Sequence, residues 1–329
     1  MTGVEMRVVA EDEADLRLDR WFRVHYPDLG HARLQKLLRT GQVRVDGRRA
    51  KAGARLQAGA TVRVPPLGPA PKLQSRKPAA PAVSDKDAAF MRSLVLYRDE
   101  DVLALNKPAG LAVQGGTGTH RHLDGLLAAL RFDAPEAPRL VHRLDRDTSG
   151  VLLLGRSRAA TAALGELFRS QNVKKTYWAI TVGVPERSSG QIDLPLAKLP
   201  GPAGERMAVD PAEGRRATTL YRVIDTAGRR VAWLALRPRT GRTHQLRVHC
   251  AAMGCPILGD GKYGGQEAFV SGHPISRKLH LHARALTLPK PSGAGLLTIQ
   301  APLPDHMAKT WSFFSFDPDE AEDPFAEDE

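Results

Sequence analysis

The spacing of apolar and polar residues in the first 65 positions predicts two helices. A short helix is expected around residues 19–24, where Asp19 can cap the first turn. A second helix is expected from about residue 31 to residue 40, and Gly41 follows it as a C-terminal stop. Its apolar residues recur at i, i+3 and i+4, the spacing of one buried face, at Leu34, Leu37 and Leu38. The N-terminal module therefore begins with a pair of helices that share a core.

Short strands are predicted after the second helix. Residues 43–47 alternate and end in an Asp-Gly turn, and Thr61–Val64 alternate again. Two helices followed by a small basic sheet resemble the S4 RNA-binding module over about residues 15–65. The resemblance implies that this α/β module binds RNA through its basic side chains, among them Arg33, Lys36, Arg39 and Arg44. An ordinary small α+β domain with solvated charges stays open as the alternative.

A proline-rich stretch separates this module from a much larger block. Residues 65–81 contain six prolines and almost no apolar periodicity, as expected of an extended, semi-rigid linker. Residues 317–329 contain eight acidic residues and no Lys or Arg, which predicts a disordered tail. The sequence therefore predicts an S4-like module, a linker, a catalytic domain and an acidic tail, at residues 1–65, 66–87, 88–310 and 311–329.

The large block mixes strand-like and helix-like patterns without strict alternation between them. Residues 159–170 have helical spacing, with Leu164, Leu167 and Phe168 on one face. Apolar runs typical of buried strands occur at Val95–Tyr97, Val102–Leu105, Val151–Leu154, Tyr177–Val182 and Val231–Leu236. This pattern predicts an α+β domain built around a mixed, mainly antiparallel sheet.

The charge of the chain indicates a polyanionic partner. The 329 residues carry a net charge of +12, and without the acidic tail 48 basic residues stand against 28 acidic ones. Such an excess favours nucleic acid, because basic side chains release counterions from phosphates. A soluble protein that happens to be basic is the alternative on charge alone.

The remaining composition places the chain in a reducing compartment. Its N-terminus is acidic, unlike a secretory signal or a transit peptide, and no apolar stretch approaches the length of a membrane span. Two cysteines, Cys250 and Cys255, are too few for a disulfide framework. We therefore expect a cytoplasmic monomer with no membrane association.

The candidate chemistry lies in the loop from His142 to Gly150. The loop runs directly into the apolar strand that begins at Val151, and a buried strand can fix a reactive side chain. Asp145 is flanked by Arg143 and Arg146, and positive charge keeps a carboxylate ionised and available as a nucleophile. A structural ion pair is the alternative for this residue taken alone.

The nine residues of this loop resemble the signature loop of the RluA family of pseudouridine synthases, and its RluC-type members in detail. Three further segments are similar to family motifs. Lys175–Tyr177 matches a Lys-x-Tyr motif, residues 241–249 match an Arg-containing motif, and residues 279–283 match a later stretch. The resemblance extends over about residues 15–305.

The resemblance implies a role for each matching residue. Asp145 would be the catalytic aspartate, Tyr177 would stack on the target uracil and help to move the proton at C5, and Arg242 would pair with the carboxylate of Asp145. Arg143 and Lys175 would contact RNA, with Arg143 in the loop that enters where the base is expelled. The implied activity is isomerisation of uridine to pseudouridine in large-subunit (23S) ribosomal RNA. Transfer RNA, another substrate of the family, stays open.

The implied reaction needs no cofactor, because it involves no redox change and transfers no external group. It breaks the N-glycosidic bond, turns the base and rejoins it to the sugar through C5. A nucleophilic carboxylate, an oriented base and exclusion of water are sufficient, with attack at the sugar carbon or at the uracil ring. The target must also leave its stack, and an aromatic platform suits that step.

The histidines suggest a metal site as a rival interpretation. His244 and His249 are five residues apart, His280 and His282 alternate, and both cysteines lie near the first pair. These spacings differ from those of zinc sites, so we expect the histidines to form hydrogen bonds in the core or to line an RNA groove. Two other functions stay open: a non-catalytic RNA-binding or ribosome-assembly protein, and a metal-dependent RNA hydrolase.

Overall fold

The computed structural model describes residues 3–67, 83–116, 121–200, 206–293, 295–320 and 324–325. The chain divides into two compact units, residues 1–81 and 82–329. Most of the predicted linker lies outside the described residues. The helices of the described residues are α1 Leu18–His25, α2 His31–Arg39, α3 Asp85–Ser93, α4 Arg158–Arg169, α5 Gln245–Ala252 and α6 Asp305–Phe314. None of them combines the length and the apolarity that a transmembrane span requires.

The smaller unit is a four-stranded antiparallel sheet packed against two helices. Its strands are β1 Glu5–Val8, β2 Arg44–Val45, β3 Arg48–Arg49 and β4 Thr61–Val64, in the order β1-β4-β2-β3. The apolar face of α2 is buried as predicted, together with Trp21 and Phe22 of α1. The prediction missed β1, whose four residues pair with β4 from a distant part of the chain. This architecture fits an S4-like module.

The larger unit contains a ten-stranded mixed sheet. The strands of the unit are β5 Val95–Arg98, β6 Val102–Lys107, β7 Arg139–Leu140, β8 Ser149–Gly155, β9 Lys174–Val182, β10 Ser189–Asp193, β11 Leu196–Leu199, β12 Arg206–Val209, β13 Thr218–Ala227, β14 Val231–Pro238, β15 Leu281–Pro289 and β16 Leu296–Gln300. The order is β10-β13-β14-β9-β15-β8-β6-β5, with β16 beside β15 and β7 beside β8, while β11 and β12 form a separate hairpin. Only the β15–β8 pair is parallel in the described part of the chain, so the α+β prediction is confirmed.

Helix α6 covers one face of this sheet near β9 and β14. Trp178 of β9, Trp233 of β14 and Trp311 of α6 form one aromatic cluster, with ring centroids between 4.8 and 6.3 Å apart. Side chains alternate along a strand, so Tyr177 lies on the opposite face from Trp178. Tyr177 packs there with Leu234 and Leu236. One face of β9 therefore packs in the buried aromatic cluster, and the opposite face carries Tyr177.

The prediction of a disordered tail from residue 311 is wrong for the residues that the structure describes. Helix α6 continues to Phe314, and Phe316 and Phe325 are only 4% and 1% exposed. The Arg237 guanidinium lies 4.4 Å from the centroid of the Phe325 ring. The prediction was made from the acidic charge of the segment and did not weigh these aromatic residues, which bury enough apolar surface to attach the segment to the core.

Phe325→Ala is expected to destabilise the larger unit by about 3–5 kcal/mol, as is usual when a buried Phe is truncated. Phe313→Ala is the matched control, because Phe313 is 45% exposed and its truncation should cost less than about 1 kcal/mol. Urea unfolding followed by tryptophan fluorescence measures both, since Trp178, Trp233 and Trp311 lie in this core. Equal unfolding midpoints for the two variants would contradict the attachment of the tail.

Candidate active site

Asp145 lies in the loop between β7 and β8, at one end of a cavity of about 770 Å³. The cavity brings together all five site residues predicted for the larger unit, which are Arg143, Asp145, Lys175, Tyr177 and Arg242. The side chain of Asp145 is 29% exposed, so a ligand in the cavity can reach its carboxylate. Among the described residues that line this cavity, Asp145 is the single carboxylate, and it faces six Lys or Arg side chains.

A buried lysine fixes the main chain next to Asp145. Lys107 ends β6, is fully buried, and donates from Nζ to the carbonyls of Pro108, Leu111 and Arg146 at 2.8–2.9 Å. Burial lowers the pKa of Lys107 to about 8, against the attraction of Asp147 and Asp145. The sequence analysis did not assign Lys107 a function. The position of a lysine at the end of a buried apolar strand was the sequence signal that could have indicated such a role.

Both ends of the catalytic loop are anchored as well. At its start, Nε2 of His142 accepts a hydrogen bond from the Leu153 amide at 2.9 Å, and burial lowers the pKa of His142 to about 3. At its end, Gly150 has a φ of +110°, and a Cβ there would lie 2.2 Å from the carbonyl oxygen of Ala283. Only glycine therefore allows β8 to begin this close to β15.

Tyr177 presents a protonated phenol ring to the cavity. It lies in β9, opposite Leu236 of β14 and Ala283 of β15. Burial and the negative charge of Asp145 both raise the pKa of Tyr177 well above its ordinary value. Its hydroxyl therefore keeps its proton near neutral pH and can donate a hydrogen bond. A ring held in a buried strand suits a fixed stacking platform.

His244 is the basic side chain that forms an ion-pair contact with Asp145 among the described residues. Its Nε2 lies 3.9 Å from Oδ1 of Asp145, and its Nδ1 lies 2.5 Å from the Tyr263 hydroxyl. His244 precedes α5 in a left-handed conformation, with φ 53° and ψ 21°. Burial lowers the pKa of His244, against the attraction of Asp145. The strained backbone position directs a neutral imidazole toward the carboxylate.

Arg247 supplies a buried cation behind Asp145. Its guanidinium donates two hydrogen bonds to Asp260, at 2.8 and 2.7 Å, and its side chain is 8% exposed. Burial opposes its charge, but the bonds to Asp260 and the attraction of Asp145 hold the pKa of Arg247 above its ordinary value. The sequence analysis did not assign Arg247 a role, although an Arg within the apolar pattern of α5 was a usable signal.

Arg242 is not paired with Asp145, contrary to the role that the family resemblance implied. Its Nε donates to the carbonyl of Arg216 at 3.1 Å, and its amide donates to Oε1 of Gln245 at 3.0 Å. No salt bridge of the described residues joins it to a carboxylate. Arg242 lies in the loop before α5, and its side chain bonds to the backbone of a neighbouring segment. Arg247 lies within the helix. Arg242 still lines the cavity.

The predicted RNA-binding residues of the smaller unit lie on and next to α2. Lys36 and Arg39 are exposed on the helix. Arg33 is half-buried and donates to the carbonyl of Leu67. Arg44 is exposed in β2 and donates to the carbonyls of Gly41 and Gly47, both at 3.2 Å. Lys36 and Arg39 are therefore the two with free charged ends for a ligand.

The histidines considered for a metal site take part in hydrogen bonds of the core. His249 contacts Oγ1 of Thr219 at 3.0 Å, and His280 contacts Oγ1 of Thr310 at 2.9 Å. His282 contacts Oγ of Ser149, which begins β8 next to the catalytic loop, at 2.9 Å. Across the described ranges, no three His, Cys, Asp or Glu side chains are placed to hold a metal ion. The predicted hydrogen-bonding role is confirmed for these three histidines.

Acid is expected to destabilise the larger unit through His280 and His282. Burial lowers the pKa of each to about 4, whereas an unfolded histidine titrates near 6.5. Below 6.5 the unfolded chain therefore binds protons that the folded chain excludes, and stability present above pH 6.5 is lost toward pH 4. The expected slope is up to about 1.4 kcal/mol per pH unit for each residue.

Urea unfolding at a series of pH values measures this slope. His282→Gln should flatten it, because the variant has one histidine fewer to exclude protons. His273→Gln is the control, since His273 is exposed, and it should leave the slope unchanged. A stability that does not vary between about pH 6.5 and pH 4 would contradict the prediction.

Comparisons with known proteins relate this site to one enzyme class. The model of a family described as RNA pseudouridylate synthase matches residues 101–252, which include Asp145, Tyr177 and Arg247. RNA pseudouridine synthase 4, mitochondrial, of Arabidopsis thaliana is 37% identical over 88% of this chain and 77% of that protein. Ribosomal large subunit pseudouridine synthase C of Vibrio cholerae is 36% identical over 93% of this chain and 95% of that protein.

A solved structure shows the same relationship. Human RNA pseudouridylate synthase domain containing 4 superposes with a TM-score of 0.57 at 29% identity. The match covers 70% of this chain and 97% of the human one. Sequence and fold therefore agree on the same class of relatives.

Proposed function

Because this chain belongs to the RluA family of RNA pseudouridine synthases and is similar to its RluC-type members, we propose that it modifies large-subunit ribosomal RNA with Asp145 as the catalytic carboxylate. The general reaction, isomerisation of uridine to pseudouridine in RNA, follows from the family. The substrate class is inferred from the relatives named as ribosomal large subunit pseudouridine synthase C.

One observation carries the catalytic assignment. Asp145 is the single carboxylate among the described residues that line a cationic cavity, and Tyr177 lines the same cavity. The cations suit the binding of a polyanionic substrate, and a single carboxylate among them is placed to act as a nucleophile. The buried pair of Arg247 and Asp260 supports the site from behind, since its position is set by two hydrogen bonds.

The target uridine leaves its stack before the chemistry in this mechanism, because a stacked base cannot enter an enclosed cavity. Tyr177 stacks on the base, and its hydroxyl donates to an acceptor on the ring or the sugar. Arg143, at the exposed edge of the catalytic loop, occupies the place that the base vacates. Asp145 then attacks the sugar carbon or the uracil ring, and the N1–C1′ bond breaks. The base turns and C5 bonds to C1′, the bond to the Asp145 carboxylate breaks, and the C5 proton is lost while N1 gains a proton.

Chemical mapping tests the function directly. The protein is incubated with large-subunit ribosomal RNA transcripts in excess chelator, and pseudouridine is detected by carbodiimide-dependent stops of reverse transcription. Discrete stops at uridines support the proposal. Binding without stops would favour a non-catalytic RNA-binding protein, and chelator-sensitive strand cleavage would favour a metal-dependent hydrolase. Modification of transfer RNA alone would replace the substrate class.

We also propose that the S4-like unit adds affinity for RNA. Lys36→Gln combined with Arg39→Gln removes two exposed charges of α2 without touching a core residue. Binding of the ribosomal transcript should weaken about tenfold at moderate salt, and the salt dependence should flatten by about 1–2 in log–log slope. Filter binding measures both quantities. Unchanged affinity together with an unchanged slope would rule out this role.

A further inference from the structure

We propose that a second cavity next to Asp145 binds a phosphodiester group of the substrate RNA beside the target nucleotide. This inference rests on the proposed function and extends it to the RNA backbone. The cavity has a volume of about 550 Å³ and is lined by residues of five separated segments. Two of them meet where the amide of Gly110 donates to the carbonyl of Arg146 at 2.9 Å.

The second cavity shares a wall with the catalytic one. Arg247 lines both cavities, His244 lines the second, and Asp145 lines the first. The separation between Nε2 of His244 and Oδ1 of Asp145 is 3.9 Å, so one pair of side chains divides the two spaces. A phosphate group in the second cavity therefore belongs either to the nucleotide whose base is held against Asp145 or to the next nucleotide along the chain.

The charge of the second cavity suits an anion. Arg146, Lys262, Arg277 and Lys278 line it, and among the described residues none of the four has a carboxylate within salt-bridge distance. Asp147 is the single carboxylate among the described residues of its lining. The four cations are exposed and repel one another across one space, so an anion that joins them is bound favourably.

The backbone builds this cluster at a fixed place. Gly259 has a φ of +83°, and a Cβ there would lie 2.0 Å from the carbonyl oxygen of Lys278. This close approach brings the turn that carries Lys262 against the segment that carries Arg277. Packing also orders both cations, since Arg277 lies 4.2 Å from the centroid of the Phe269 ring and Lys262 lies 5.7 Å from that of Tyr263.

A phosphate held here has a use in the reaction. The base is detached from the sugar while it turns, so the sugar must stay in place until C5 meets C1′. Anchoring a neighbouring phosphodiester group fixes the sugar without contacting the rotating base, and such positioning lowers the entropic part of the barrier. Ordered cations that contact only phosphate would act on every RNA sequence equally.

Lys262→Gln combined with Arg277→Gln tests the proposal in the full-length protein. Lys86→Gln combined with Arg92→Gln is the matched control, because it also removes one Lys and one Arg, both exposed on α3 and outside both cavities. The probe is a large-subunit ribosomal RNA transcript, bound over a range of salt concentrations. We expect about tenfold weaker binding and a slope flatter by about 0.7 or more for the cavity variant. The control should change affinity less than about twofold.

A second measurement locates the phosphate. An oligonucleotide with a mapped target uridine receives a single neutral methylphosphonate at each flanking linkage in turn. One linkage should slow wild-type turnover about tenfold but should not slow the cavity variant further, as expected of two changes that remove one contact.

The outcomes separate this inference from the proposed function. Equal binding losses in the cavity variant and the control, or methylphosphonate effects that add to those of the variant, would overturn the phosphate site. The absence of pseudouridine in every RNA with wild-type protein would instead refute the proposed function. The salt-slope comparison requires binding only, so it decides the inference in that case as well.

Discussion

Asp145→Asn is expected to lower pseudouridine formation by at least about 10⁴-fold, the scale of loss when a nucleophile is removed from an active site. The amide keeps the size of the carboxylate but cannot form the covalent bond. RNA binding should stay within about threefold, since cations dominate the described lining of the cavity. Single-turnover assays with excess enzyme measure the chemical step, and filter binding measures affinity.

Asp147→Asn is the comparison for this experiment. Asp147 lies two residues along the same loop, but it lines the second cavity and not the catalytic one. We therefore expect appreciable turnover from this variant. Robust turnover by Asp145→Asn, or an equally deep loss in Asp147→Asn, would remove Asp145 from the catalytic role.

Part of the site is local in the chain, and the resemblance to family motifs supplied the rest. Asp145 and Arg143 share one loop, and Tyr177 lies in a strand whose apolar run is plain in the sequence. What the sequence did not show is contact between distant segments. Lys107 reaches Arg146 across the fold, and β1 pairs with a strand more than fifty residues away. Such contacts depend on the topology of the sheet and leave no periodic pattern.

Two predictions differ from the structure for reasons that concern single residues. The tail was judged by its charge, although two phenylalanines, Phe316 and Phe325, attach it to the core. Arg242 was judged by its place in a motif, although the helix α5 begins only at Gln245. The start of that helix decides which arginine of the motif is buried near Asp145, and helix starts are among the least certain features of a sequence.

Arg247→Met is expected to cost about 3–5 kcal/mol of stability, because it leaves the buried carboxylate of Asp260 without its partner. Adding Asp260→Leu removes the uncompensated charge, so the double variant should regain most of that stability. We expect its turnover to stay at least about 100-fold below wild type, because the cation that acts on Asp145 is still absent. Urea unfolding and single-turnover assays separate the two effects. Recovery of activity together with stability would show that Arg247 is purely structural.

Arg242→Met completes this test of which arginine provides the positive charge that acts on the carboxylate of Asp145. Its guanidinium is half-exposed and bonded to a backbone carbonyl, so the variant should keep its stability within about 0.5 kcal/mol. Its main effect should be weaker RNA binding, with saturating RNA restoring turnover to within about tenfold, as for a phosphate contact. A deep loss of turnover with RNA fully bound would mean that Arg242 moves to Asp145 when RNA binds. In that event the role implied by the family resemblance would hold in the complex, and Arg247 would be the fixed support behind it.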